Sequence, residues 1–202
     1  MKLLSRLICS SAVGLSIFAS PVLAGESLKN SSIFYDNPGF YFTGSIGASV
    51  IGDIEVEGWD DIEFDTGLGL DLGWGYDFGT TRAEVTWSRG GASGTEWEGW
   101  TDDEDTTINS IVASYYWDFR NGKRWRPFIG PSLGSTSIES SGETVTATSW
   151  GLGLGLSYRQ SNNMDIFYKS QVLIVPELDD FGGFDYENVN YSNGTIGVRY
   201  RF

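Results

Sequence analysis

Charged side chains that could carry acid–base or ion-selective chemistry recur along the chain, each in a segment where polar and apolar residues alternate. Paired carboxylates can act as general acid and base, and rings of charge can select ions. Opposite charges that are buried can instead neutralise one another, because a buried charge must be paired. The charges on the polar face are Asp65, Asp71, Asp77, Arg82, Glu84, Asp118, Asp165, Lys169, Arg199 and Arg201. We expect a salt-bridge network that plugs a narrow lumen, with a selectivity lining or a carboxylate site as alternatives.

A second set of acidic residues lies in segments without alternation. The densest run is Asp102, Asp103, Glu104 and Asp105. Flexible, oxygen-rich segments suit divalent cations, but this run lacks the spaced ligands and the glycine of an EF-hand loop. It predicts weak cation binding or, alternatively, a solvated surface. The same acidic segments contain three tryptophans, Trp59, Trp97 and Trp100. We expect them either to form a binding patch or to pack the loops against one another.

Composition excludes several chemistries. The chain has no histidine, which is the commonest general base and transition-metal ligand. Its net charge of −14 argues against nucleic-acid binding, which needs Lys and Arg to neutralise phosphates. We therefore predict no cofactor and no nucleic-acid partner.

The first 24 residues have the layout of a secretory signal peptide. Two basic residues precede an apolar run from Leu7 to Phe18, and small residues precede a break between Ala24 and Gly25. The apolar run is shorter than the roughly 20 residues that span a bilayer. We predict cleavage between Ala24 and Gly25. Cleavage removes two basic residues and the single cysteine, so the net charge falls from −14 to −16.

Eight segments show the period-two alternation of β-strands. They are 39–50, 64–78, 81–88, 109–119, 127–135, 149–158, 164–174 and 193–202. One face carries leucine and aromatic residues, and the other carries glycine, serine, threonine and the charges above. A wide apolar outside and a small polar inside suit a narrow barrel in lipid. The sequence therefore predicts an all-β fold, an eight-stranded antiparallel up-and-down transmembrane β-barrel.

Connections between these segments alternate in length. Short turns at 79–81, 120–126 and 159–163 hold basic residues, among them Arg126 and Arg159, and the other connections are mostly longer. Outer-membrane barrels have short periplasmic turns and long outer loops. Aromatic residues near the short turns predict an interfacial girdle. These are Phe42, Trp74, Tyr76, Phe78, Tyr115, Trp117, Phe119, Tyr158, Tyr200 and Phe202. Pro131 cannot donate a ladder hydrogen bond, so we expect a bulge or a strand end there.

With this pattern the chain resembles the small outer-membrane β-barrel family, the porin-family barrels of the transmembrane-domain type found in outer membrane proteins A and X. The resemblance covers residues 38–202. Its most specific part is a terminal insertion signal formed by Thr195, Gly197, Tyr200 and Phe202. The resemblance implies that the assembly machinery recognises this signal and inserts the last strand.

The predicted organisation is a signal peptide at 1–24, a periplasmic segment at 25–37 and an outer-membrane barrel at 38–202, in a Gram-negative-type bacterium. Expected partners are outer-membrane lipid, the assembly machinery and divalent cations at the acidic loops, and we expect a monomer. We predict a structural or surface-interaction role, with a small-solute or cation-selective channel as the alternative. The barrel enzymes known from the resemblance use histidine, so we predict no enzymatic activity.

Overall fold

Antiparallel strands make up nearly all of the chain that this computed structural model describes, residues 38–51, 63–64, 66–96, 105–119, 124–140, 143–181 and 184–202. The strands are β1 (Gly39–Ile51), β2 (Glu63–Phe64), β3 (Gly67–Asp77), β4 (Thr81–Glu96), β5 (Asp105–Asp118), β6 (Trp125–Ser140), β7 (Glu143–Arg159), β8 (Met164–Phe181) and β9 (Phe184–Arg201). No helix in these ranges is long and apolar enough to span a bilayer.

Eight of the strands close into a barrel, and β2 is a two-residue strand beside β4. Neighbouring strands pair antiparallel from β3 round to β9, and β1 pairs with both β3 and β9. The closing ladder runs from the pair Tyr41–Arg201 to the pair Ile51–Tyr191. Closure gives every barrel strand two neighbours, which backbone groups in hydrocarbon require. The predicted eight-stranded antiparallel barrel is confirmed.

Side chains alternate between the lumen and the outside along each strand. On β3, Asp71, Gly73 and Asp77 are buried, whereas Leu68 is 87% exposed and Trp74 is 53% exposed. Most of the outward aromatic rings gather at the end of the barrel that carries the short turns, and Trp150 lies away from that end. Trp74 lies 6.0 Å from Phe202 between ring centroids, and Trp125 lies 4.8 Å from Tyr158. We call the outward apolar surface from these rings up to Leu133 and Trp150 the apolar belt.

Pro131 lies inside a continuous strand, so the expectation of a bulge or a strand end there is wrong. β6 keeps one register with β7 through the pair Pro131–Leu152. It also keeps one register with β5, although that ladder lacks pairs between Ser114–Ser132 and Trp117–Ile129. The missing pairs are all on the β5 side. The absence of an N–H group on Pro131 therefore interrupts only the β5–β6 ladder, and the β6–β7 ladder continues. The proline ring itself faces outward and is exposed.

The strands extend further than predicted at the end that carries the long loops, and polarity inverts there. On β6 and β7, outward positions above the apolar belt are polar, and inward side chains of β5, β6 and β7 become apolar beyond the buried Thr136 and Ser149. The outward residues are Ser135, Ser137, Glu139, Thr144, Thr146 and Thr148. Inward, Ile108, Val112 and Ile138 are at most 6% exposed, and Val145 and Ala147 pack against them. This end of the wall therefore has the polarity of a soluble β-sheet, with its apolar side inward.

The pairing of β7 with β8 stops before either strand reaches its end at the loop side of the barrel. The last pair at the loop end is Trp150–Ile174. Above that pair, in the described backbone, residues 143–149 of β7 pair only with β6. The residues of β8 between 175 and 181 that form pairs do so only with β9. We call the boundary between these two segments the open seam. The barrel wall at the open seam lacks a backbone ladder.

Lumen glycines make room for large side chains. A Cβ atom at Gly75 would overlap the Tyr41 ring and the carbonyl oxygen of Ala83. We expect Gly75→Ala to lower the free energy of unfolding by about 1–3 kcal/mol, the usual cost of overpacking. A urea titration of the folded barrel measures the change. Gly44→Ala is the matched control, because a Cβ there meets only a Leu72 methyl at 3.8 Å. Equal effects of the two substitutions would contradict this steric explanation.

Candidate functional site

A cluster centred on Asp165 fills the lumen near the short turns. Asp165 is fully buried on β8 and forms ion pairs with three arginines. Its carboxylate lies 2.6 Å from Arg201 Nη2, 2.7 Å from Arg159 Nε and 3.1 Å from Arg199 Nη1. Arg201 Nε also lies 3.3 Å from Asp77 Oδ2 on β3. We call these five residues the Asp165 cluster. It links β7, β8 and β9 to β3 through the inside of the barrel.

A second ion-pair group lies at the same end on β4 and β5. Arg82 Nε donates hydrogen bonds to both Asp118 carboxylate oxygens, at 3.0 and 3.1 Å. Arg82 Nη1 is 3.7 Å from Glu84 Oε2. The Arg82 guanidinium carbon also lies 4.4 Å from the centre of the Phe128 ring and 4.7 Å from that of Tyr116. Cation–π contact and ion pairing together offset the cost of removing this guanidinium group from water.

A third group surrounds Asp71 nearer the middle of the barrel. Lys169 Nζ on β8 lies 2.9 Å from Asp71 Oδ2 on β3. Three side chains donate hydrogen bonds to the same carboxylate at 3.3 Å, namely Ser45, Asn193 and Thr195. These five residues are the Asp71 cluster. Since β1 lies between β3 and β9, the cluster spans the closing ladder from inside and holds the first strands to the last.

Hydroxyl groups occupy the remaining interior at this level. Ser114 and Ser132 share a hydrogen bond of 2.8 Å, and Gln171 Nε2 donates to Ser132 at 3.0 Å. Above them, at the loop end, lies an apolar layer. Its residues are Ile108, Val112, Ile138, Leu173, Val175 and Tyr191, with Val145 and Ala147 packed against it. We call this layer the apolar cap. The lumen is thus filled by ion pairs at the turn end, hydroxyls in the middle and apolar side chains at the loop end.

Sequence and structure comparisons agree on what kind of barrel this is. The family model described as the outer membrane protein beta-barrel domain matches residues 10–202. The chain belongs to this outer-membrane β-barrel family. The barrel is therefore embedded in lipid, and its relatives indicate a bacterial outer membrane. No curated protein matches the chain.

Solved structures give the same architecture for this outer-membrane barrel. Neisserial surface protein A aligns with a TM-score of 0.64 at 19% identity, over 83% of this chain and 100% of that one. OprG from Pseudomonas aeruginosa aligns at 0.59 and 12% identity, over 84% and 99%. AlkL in lipid bilayers aligns at 0.51 and 15% identity, over 82% and 91%. At these identities the likeness shows the fold alone.

The structure places most of the predicted lumen charges inside this outer-membrane barrel. Those that are buried and form ion pairs are Asp71, Asp77, Arg82, Glu84, Asp118, Asp165, Lys169, Arg199 and Arg201. Asp65 lies outside the described residues. On β9, Thr195 and Gly197 face the lumen of the barrel. Tyr200 and Phe202 face lipid and are 51% and 73% exposed.

Two lumen arginines were predicted from the sequence to lie in the short turns, and that prediction is wrong. Arg126 and Arg159 are buried within β6 and β7. Arg126 lies two residues before the buried Phe128, and Arg159 lies two residues after the buried Ser157. Extending the period-two pattern by one step would therefore have placed both side chains in the lumen. The turn assignment failed because basic residues at strand ends usually face water.

The other predicted sites fall largely outside the described part of this outer-membrane barrel. Ala24 and Gly25 precede it, and Trp59, Trp97 and Trp100 lie in gaps. The acidic run is outside as well, except that the backbone of Asp105 begins β5. Within the described ranges, no group of three or more acidic, histidine or cysteine side chains could hold a metal ion.

Proposed function

We propose that this protein is a non-conducting outer-membrane barrel with a structural or surface-interaction role. The observation that carries the proposal is that the Asp165 cluster, the Asp71 cluster and the apolar cap occupy the lumen at successive levels. An eight-stranded barrel has an interior that side chains can just fill. A hydrated ion has no continuous polar path through such a lumen.

The energetics of the buried charges favour a static plug over an ion pathway. Removing one partner of a buried pair typically costs about 3–5 kcal/mol, because the remaining charge is left in a medium of low polarity. Lys169 and Asp71 are each at most 3% exposed and contact each other directly. A permeating ion would have to displace that contact. The interior therefore contributes to holding the barrel closed.

The outer loops are the part of the molecule that we assign to interaction. With the short turns on the periplasmic side, we assign the acidic residues Asp102, Asp103 and Glu104, which precede the start of β5 at Asp105, to the cell surface. We propose that these loops bind divalent cations weakly or meet a protein partner. We also propose that the signal peptide is cleaved after Ala24, that the assembly machinery recognises the last strand, and that the protein is monomeric and not an enzyme.

Single-channel recording in a planar bilayer tests the proposal. The folded protein is expected to give no steady openings, because its lumen is filled at three levels. A heat-dependent gel shift verifies that the inserted protein is folded, and a wide porin in the same bilayer is the positive control. Steady, cation-selective openings would overturn the proposal in favour of a channel. Asp71 and Lys169 would then be the first residues to replace.

A further inference from the structure

Two buried arginines of the lumen each have one N–H donor without an acceptor in the described part of the chain. Arg82 and Arg199 are 1% and 2% exposed. Other atoms of both guanidinium groups donate to carboxylates, but Arg82 Nη2 and Arg199 Nε have no hydrogen-bond partner among the described residues. Buried polar atoms are hydrogen-bonded in the great majority of native structures. The two donors therefore require an acceptor that the described side chains do not supply.

The backbone register relates the heights of the two arginines in the barrel. Arg199 on β9 pairs with Thr43 on β1. Thr43 pairs in turn with Gly73 on β3, and Gly73 pairs with Thr86 on β4. The same path continues round the wall to the loop end of β7. Because strands in such a barrel tilt by about 40° and lie about 4.8 Å apart, the three steps to Thr86 rise about 9 Å toward the loop end.

The position of Arg82 on β4 cancels that rise. Arg82 lies four residues nearer the short turns than Thr86. At roughly 3.3 Å per residue on a tilted strand, this is a descent of about 10 Å along the barrel axis. Arg82 and Arg199 therefore lie at the same height, and only β1 and β3 separate their strands. Because both side chains point into a narrow lumen, the two guanidinium groups converge near its axis.

Aromatic rings contact both guanidinium groups. Arg82 lies over two rings, one on β5 and one on β6. The guanidinium carbon of Arg199 lies 5.3 Å from the centre of the Tyr41 ring and 5.5 Å from that of Phe167. A guanidinium group donates hydrogen bonds in its own plane. An acceptor common to Arg82 Nη2 and Arg199 Nε must therefore approach both groups at their edges.

The charges in this half of the lumen do not cancel. Among the described residues, the buried charges near the short turns are Arg82, Arg126, Arg159, Arg199 and Arg201 against Asp77, Glu84, Asp118 and Asp165. Higher in the lumen, Lys169 and Asp71 neutralise each other. One positive charge is left over, and a net buried charge is far more costly than a buried neutral pair. A water molecule accepts hydrogen bonds from both donors but leaves this charge uncompensated.

We propose that Arg82 Nη2 and Arg199 Nε together bind one small monovalent anion of the halide class. The anion accepts a charge-assisted hydrogen bond from each donor and supplies the missing negative charge. A doubly charged oxyanion would replace the positive excess by a negative one. Glu84 leaves Arg82 Nη2 to the anion, because its Oε1 accepts from Thr86 at 3.0 Å and its Oε2 lies 3.7 Å from Arg82 Nη1. The inference goes beyond the proposed function and concerns what holds the lumen together.

Bromide in place of chloride makes the site visible. Bromide has the same charge and a similar size, and its anomalous X-ray scattering distinguishes it from water. The protein is refolded in detergent with sodium bromide, so that the ion is taken up as the barrel closes, and is then crystallised. We expect an anomalous peak within hydrogen-bonding distance of both Arg82 Nη2 and Arg199 Nε. A water molecule or an empty position there, without an anomalous peak, would overturn the inference.

Urea unfolding at increasing halide concentration measures the same binding in solution, with sodium gluconate holding the ionic strength constant. A folded state that binds one halide gains about 1.4 kcal/mol for each tenfold rise in halide above the dissociation constant. Arg199→Gln removes one donor and the excess charge, so its stability should not depend on halide. Glu139→Gln, at an exposed outward position, is the matched control and should show the dependence of the parent.

Glu84→Gln decides the question if Arg199→Gln does not fold. Removing the negative charge beside Arg82 is expected to let the halide bind at about tenfold lower concentration, because a like charge in the lumen opposes the anion. An unchanged halide dependence in Glu84→Gln would contradict the inference. Equal dependence in the parent and in Arg199→Gln would mean a general salt effect. Silent bilayers bear only on the proposed function, so either proposal can fail alone.

Discussion

Replacing Asp165 with asparagine is expected to lower the free energy of unfolding of the barrel by about 3–5 kcal/mol. Asp165 is the shared partner of Arg159, Arg199 and Arg201, and each of these three arginine residues is at most 6% exposed. Asparagine keeps the shape but not the charge. Three positive charges would then remain in a small volume, where the carboxylate of Asp77 lies 3.3 Å from Arg201 Nε. Both mutual repulsion and lost pairing act in the same direction.

Urea unfolding of the barrel in detergent or bilayer gives the measurement. Glu139→Gln changes the charge by the same amount at an exposed outward position, so its effect should stay within about 0.5 kcal/mol. Adding Arg199→Gln to Asp165→Asn should restore part of the lost stability, because it removes one of the unpaired charges. If Asp165→Asn unfolds at the same urea concentration as the parent, the Asp165 cluster is not a stabilising centre.

Replacing Phe202 with aspartate is expected to prevent assembly of the protein in the outer membrane. Phe202 is 73% exposed to lipid, its ring lies 5.5 Å from that of Tyr200, and its backbone N–H donates to the Phe40 carbonyl at 3.1 Å. The residue therefore contributes both to the aromatic girdle and to closing the barrel. It also belongs to the proposed insertion signal, whose apolar end the substitution would remove.

The amount of folded protein in outer-membrane fractions measures this effect, with the heat-dependent gel shift as the readout. Refolding of the same variant in detergent separates recognition from stability. A charge near the bilayer interface costs only about 0–1 kcal/mol, so the variant should still fold in vitro. Phe202→Tyr keeps an aromatic ring and should assemble normally. Normal assembly of the aspartate variant would remove the reason for assigning the signal to this residue.

The barrel itself was predictable because lipid imposes one rule on every strand. Leu68, Leu70 and Leu72 alternate with Gly69 and Asp71, and the structure puts the leucines outside and Asp71 inside. A half-exposed strand in hydrocarbon must present apolar groups outward, whichever neighbours it pairs with. Strand number and faces therefore follow from local sequence.

The strand ends at the loop side were not predictable from that rule. The segment from Thr144 to Ser149 was assigned to a loop and a strand start, yet it lies within β7, which begins at Glu143. Above the apolar belt the outside is water, so threonine faces out while Val145 and Ala147 face in. The pattern still has a period of two, but its polarity is reversed. A search for apolar residues on the outer face ends where the lipid ends.

The sequence by itself determined most of the charges in the lumen, though not Arg126 and Arg159, and only the tertiary structure decided which of them pair. Asp165 and Arg159 meet as register partners on β7 and β8, but Asp71 meets Lys169 across two intervening strands. Contacts of the second kind depend on strand stagger and barrel closure, which alternation leaves free. The open seam has the same origin. The local sequence determines how long a strand is, whereas the geometry of the whole barrel determines which neighbouring residues each part of the strand can pair with.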